Sequence, residues 1–141
     1  MPRKHITVAK QRVVIERAQG LCEYCRSRAD HTTESFAIEH ILPLSRNGNS
    51  ELNNLAFSCS GCNGHKHRKI EAPDPVSGLV VPLFHPRRQK WEEHFRWSDD
   101  YKTIIGLTPT GRATVEALNM NRPGLVNIRE ALFQTRKHPL Q

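Results

Sequence analysis

No run of apolar residues in this chain is long enough to cross a bilayer, and the mean hydropathy of −0.60 agrees. Residues 1 to 11 carry no apolar stretch of the signal-peptide kind, so the expected setting is cytoplasmic and reducing. Cysteine is scarce at four residues, and acidic residues are outnumbered, 14 against 21 Lys and Arg, for a net charge of +7. Internal repeats and low-complexity tracts are absent too. These absences exclude a membrane-embedded chain and speak against a secreted disulfide framework.

What is present is a soluble-type composition, 37% hydrophobic and 25% charged, on a length that suits one core with an appended module. The basic balance, with a pI near 9.6, favours a polyanionic partner, and nucleic acid is the leading candidate. Charge alone does not decide this, because many small basic proteins bind no nucleic acid.

All four cysteines fall into two Cys-x-x-Cys pairs, Cys22 with Cys25 and Cys59 with Cys62. In a reducing compartment, two such knuckles read as four thiolate ligands for one tetrahedral Zn²⁺. Four protein ligands leave no position open for water, so the site is structural. The long insert between the knuckles is tolerable if it is a hairpin whose ends return together.

The chain in order predicts a helix capped by Thr7 and running to about Gln19, with Val13, Val14 and Ala18 near one face and Gly20 as its stop. The first knuckle follows. Phe36 to Leu42 alternates as a strand, Pro43 ends its pairing, and Asn47-Gly48-Asn49-Ser50 makes a turn-rich loop. Leu55 to Ser58 reads as the return strand, and Asn63 to about Glu71 as a helix stopped by Pro73. Beyond it come a turn at Asp74 to Gly78, a short edge strand near Pro82, a helix from about Arg87 to Phe95, and a strand over Lys102 to Leu107. Two more helices start at Thr108-Pro109 and at Asn121 to Pro123, the last burying Leu125, Ile128 and Leu132.

Glu39-His40 lies towards the end of the first apolar run. A lone histidine there would ordinarily be a satisfied structural residue. Here it follows a carboxylate and is tied through the hairpin to Asn54 and Asn63. An imidazole takes a proton from water only when its tautomer is fixed, and Asn54 is expected to fix it.

Glu-His-Ile-x-Pro-Leu-Ser, Asn-Leu and Cys-x-x-Cys-Asn-x-x-Lys, in this order between Cys22 and Lys69, resemble the HNH endonucleases of the ββα-metal superfamily. The resemblance implies a general base at His40, an orienting amide at Asn54, and a catalytic Mg²⁺ or Mn²⁺ bound by Glu39 and Asn63. The sequence is thus an H-N-N variant. His65 and His67 follow Asn63, and His67, four residues on, is a further candidate ligand. Arg46, Lys66, Arg68 and Lys69 are candidates for nucleic-acid binding at phosphates flanking the cut.

Residues 74 to 136 resemble the C-terminal extension carried by one bacterial subgroup of HNH proteins. Trp91, Phe95 and Trp97 are expected to build core there, and His85 and His94 to pack or face solvent. Arg87, Arg88 or Arg112 are expected to add phosphate contacts.

The expected architecture is therefore α+β, with an N-terminal helix and a zinc-stapled ββα core in residues 1–73. A mainly helical extension in 74–141 packs on that core. The expected function is metal-dependent hydrolysis of DNA phosphodiesters. The alternative is a non-catalytic, zinc-organised module that binds nucleic acid.

Overall fold

A long-looped antiparallel hairpin with a helix behind it sits at the centre of the chain, and a computed structural model describes it within residues 6–140. Strand β1 (Phe36–His40) pairs with β2 (Leu55–Cys59), so that Phe36 faces Cys59 and His40 faces Leu55. The helix α2 (Ser60–Lys66) follows without a loop. This is the ββα arrangement, within a mixed α+β fold.

Helix α1 (Val8–Arg17) begins where expected, with the Thr7 hydroxyl accepting from Lys10 N at 3.2 Å. It covers one face of the hairpin: Val14 and Ala18 are buried against Leu55 and Phe57. Val13, by contrast, lies on the exposed side.

Two helical expectations need correction. Helix α2 spans Ser60–Lys66 rather than Asn63 to Glu71, because Cys59 is its N-cap, with Sγ accepting from Cys62 N, and His67 leaves it at φ 50°. The chain then extends, and β3 (Glu71–Pro73) pairs with β4 (Val80–Pro82) around the Asp74 turn. Pro73 thus ends a strand, not a helix. The second error lies over Arg87 to Phe95, where only one helical turn forms, α3 (Trp91–His94). Phe95–Trp97 is strand β5, paired with β6 (Ile104–Gly106). Its signal was period two: Phe95 buried, Arg96 exposed, Trp97 half-buried.

Helices α4 (Pro109–Ala117) and α5 (Pro123–Gln134) start at the predicted prolines. Leu125 is buried as expected, Ile128 and Leu132 only partly. The side chain that shares Leu125's face at full depth is Arg129, 3% exposed. Its guanidinium donates to the carbonyls of Met120 and Lys102 and to Asn121 Oδ1. The larger core joins the four cysteines and Tyr24 to Leu83, Phe84, Trp91, Phe95, Ile104, Leu118, Met120 and Leu125. Extension and hairpin therefore share one apolar interior, and Trp91 Nε1 donates to Tyr24 O at 2.8 Å between them.

Candidate active-site cleft and zinc centre

The four cysteine sulfurs converge within 4.8 Å of one another, all buried and none in a disulfide. Zinc–sulfur bonds of about 2.3 Å in a tetrahedron place sulfurs about 3.8 Å apart, and Cys25 and Cys59 stand at 3.6 Å. Burial pushes the Cys22 thiol well up, whereas hydrogen bonds from Cys22, Cys25 and Cys62 pull Cys59 down. The residues fit Zn²⁺, in the structural role that four protein ligands imply.

The first knuckle is welded to the hairpin by backbone. Leu21 and Arg28 bridge its two arms, Glu23 N donates to Phe57 O at 2.9 Å, and Phe57 N donates to Glu23 Oε2 at 2.8 Å. Arg87 ion-pairs with the same Glu23. A side chain expected to meet phosphate is thus committed to holding the knuckle. Arg112 is committed likewise, gripping the buried Asp74 through Nε and Nη2, both at 2.9 Å. Of the three arginines proposed for the extension, Arg88 alone stays exposed.

A cleft of about 710 Å³ opens beside β1 and the end of α2, lined by Glu39, His40, Pro43, Leu44, Asn63 and His67 among others. His40, the last residue of β1, places its Nε2 2.9 Å from Ser50 Oγ. Asn54 does not supply that contact. Its Oδ1 accepts from Leu42 N at 2.8 Å, and its Nδ2 donates to Leu42 O and Asn49 O at 3.0 and 2.8 Å. With those groups spent on the main chain, Asn54 clamps the loop and thereby carries Ser50 to the imidazole. The clamp is tight: at Gly48 a Cβ would lie 1.7 Å from Leu42 O.

Glu39 and His40 are neighbours on a strand, so their side chains leave on opposite faces. The Glu39 carboxylate turns inward, its side chain 4% exposed, with Lys66 Nζ at 3.4 Å and the Tyr24 hydroxyl donating to it. Lys66, expected at phosphate, is 2% exposed and also donates to Ile41 O at 2.9 Å. It is an internal counter-charge to Glu39. Burial still raises the Glu39 carboxyl above its ordinary range, although Lys66 and Tyr24 pull the other way. Among the described residues, the four cysteines are the one group of three or more Cys, His, Asp or Glu side chains at metal-ligand spacing. As placed, Asn63 and His67 offer donors to the cleft, while a divalent cation on Glu39 would face the Lys66 ammonium.

His67 also lines a second cleft of about 450 Å³ with Ser45, Arg46, Arg68 and Lys69. Arg46 Nε donates to Arg68 O at 3.0 Å, which fixes the loop to the exit of α2. No acidic side chain among the described residues pairs with Arg46, Arg68 or Lys69. His65 is exposed and outside both linings.

The stretch from the first knuckle to the end of this cationic segment, residues 22–69, matches the family model for HNH endonuclease. By that match, the stretch is similar to an HNH domain. The chain is also similar to the Septu protein PtuB of Bacillus thuringiensis, 26% identical over 113 residues, which cover 77% of this chain and 40% of that protein. The chain thus spans well under half the length of the curated relative it matches. No solved structure matches it. The HNH domain points to a nuclease or nucleic-acid-related role, and no helix among the described residues is long and apolar enough to cross a membrane.

The sequence picked out the four cysteines, which the structure brings together. It missed Ser50, Tyr24 and Arg122, whose partners lie far along the chain. Strand parity alone could have warned that the Glu39 and His40 side chains leave β1 on opposite faces.

Proposed function

We propose that the chain is a DNA endonuclease that hydrolyses phosphodiester bonds, with His40 as general base. The observation that supports this reading is the meeting of His40, Asn63 and His67 on one cleft, which adjoins the Arg46, Arg68 and Lys69 group. In the reaction, His40 takes a proton from the attacking water, its ring steadied by Ser50. Arg46, Arg68 and Lys69 hold phosphates beside the cut, fixing the strand's register without reading its bases. Asn63 and His67 are the side chains that would hold a Mg²⁺ or Mn²⁺ in the cleft. Such an ion supplies positive charge to the developing phosphorane and the leaving oxygen. Glu39 joins that ion only if Lys66 gives way.

The inward turn of Glu39 favours one competing reading, a non-catalytic zinc-organised module that binds nucleic acid. Nicking of supercoiled plasmid, with Mg²⁺, Mn²⁺ or chelator, separates the two. Cleavage that needs a divalent ion, and falls by roughly 10² to 10⁴ in His40→Ala at unchanged melting temperature, is the expected result. Tight DNA binding with no nicking under any metal would leave the binding module standing.

A further inference from the structure

A zinc ion on four thiolates carries a net charge of about −2, and a buried charge of that size needs cations close by. One comes from the extension. Arg122, the N-cap of α5, places Nη2 3.2 Å from Cys59 Sγ and Nη1 3.7 Å from Cys62 Sγ. Its guanidinium is held there by Glu34, whose oxygens stand 3.0 and 3.1 Å from Nη2, and by Asn119 O at 3.2 Å from Nη1. Glu34 is in turn fixed, its Oε1 accepting from Gly61 N at 2.7 Å. The Arg122 side chain is only 14% exposed.

An independent observation comes from the second knuckle itself. Between Cys59 and Cys62 stands Gly61, where a Cβ would lie 2.2 Å from Arg122 Nη2, 2.5 Å from its Cζ and 2.6 Å from Glu34 Oε1. The knuckle thus has a notch into which the guanidinium fits, and any larger residue would fill it.

We propose that Arg122 is the counter-cation of the zinc–thiolate cluster, so that the C-terminal extension sets how tightly the zinc is held. Arg122 is a positioning residue here. Its N–H groups donate to the sulfurs of Cys59 and Cys62, lowering the charge that the interior must bear and disfavouring departure of the metal. This role does not depend on whether the cleft is catalytic.

The test uses the full chain in four variants: Arg122→Gln, Arg122→Lys, Gly61→Ala, and Arg112→Gln as a control that breaks a different ion pair in the extension. Zinc affinity is measured by competition with a chromogenic chelator, and the Co²⁺-substituted protein reports the sulfur-to-cobalt charge-transfer band. Arg122→Gln is expected to weaken zinc binding about 10- to 100-fold, the range for losing a partner of a metal ligand, and to shift the cobalt band. Gly61→Ala, which keeps the arginine but fills the notch, should reproduce both changes. Arg122→Lys should recover part of the affinity, and Arg112→Gln should lower the melting temperature with the cobalt band unmoved. Wild-type affinity and an unshifted band in both Arg122→Gln and Gly61→Ala would overturn the proposal, as would equal zinc loss in Arg112→Gln. A wild-type chain that binds neither Zn²⁺ nor Co²⁺ would overturn it together with the zinc assignment.

Discussion

The zinc cage and the cleft lie at opposite ends of one hairpin, and they are built on opposite principles. At the Cys59 end every ligand is buried, backbone bonds weld the knuckle to β2, and Arg122 caps the sulfurs. At the His40 end the groups line an open cleft, and Arg46, Arg68 and Lys69 are exposed and carry no ion pair among the described residues. A closed site spends its charges internally and returns stability. An open one leaves them for a ligand. The net charge of +7 therefore says less about the binding face than does the distinction between committed and uncommitted cations: Lys66, Arg87, Arg112 and Arg122 already serve buried carboxylates or sulfurs.

The hardest way to break the contrast is at the closed end. Cys59→Ser removes a ligand and the cap of α2 together, and because metal binding is part of the folding energy, the hairpin should unfold and not merely lose activity. Circular dichroism and a zinc assay after gel filtration check this; folded protein holding under a tenth of an equivalent of zinc would refute it.

Lys66→Met probes the buried pair under the cleft. Removing one partner of a buried ion pair costs about 3–5 kcal/mol. The variant should also acquire a pH dependence of definite sign. A carboxyl raised in the folded state binds more protons there than in the unfolded chain, so stability is fully present below the ordinary glutamate range near about 4.3 and is lost as pH rises through the folded value. Burial already raises Glu39 with Lys66 in place, and without it the loss should deepen. Urea titrations at pH 5 and pH 8 should show the gap between variant and wild type widening at the higher pH. A gap that narrows would mean that Lys66 does not neutralise Glu39.

A smaller effect is expected at the loop. Asn54→Ala leaves the main-chain groups of Leu42 and Asn49 short of partners at about 1–3 kcal/mol for each group still buried, and lets Ser50 drift from His40. Nicking should slow, though less than in His40→Ala, and added Ser50→Ala should contribute little more. Full additivity of the two would separate the clamp from the imidazole.

Smallest is the change at the cationic cleft. Arg46→Ala should leave melting nearly unaltered and flatten the slope of log affinity against log salt by roughly 0.7–0.9 for each phosphate that the arginine neutralises. Binding to a DNA duplex by the His40→Ala protein, measured over a salt series, supplies the comparison. An unchanged slope would make Arg46 a loop brace only, through its bond to Arg68 O.

Sequence by itself determined the features that rest on local chemistry. Two Cys-x-x-Cys turns bring thiolates together whatever lies between, Thr7 and Thr108 offer oxygens to the first turns of α1 and α4, and alternation marked the strand that starts at Phe36, though it ends at His40 and not at Leu42. The helix over Asn63 to Glu71 was misjudged because its true limits depend on Cys59 as a cap and on the backbone reversal at His67, neither of which is a common helix signal. Tertiary structure decided the partners of the long polar side chains. Whether Lys66 meets phosphate or Glu39, whether Arg112 meets DNA or Asp74, and whether Asn54 meets a ring or a loop all turn on separations of 12 to 38 positions in the chain. A flexible cation looks the same in sequence wherever it ends. Its fate is set by which carboxylate, carbonyl or sulfur the fold leaves buried within its reach, since burial makes an unpaired charge too costly to keep.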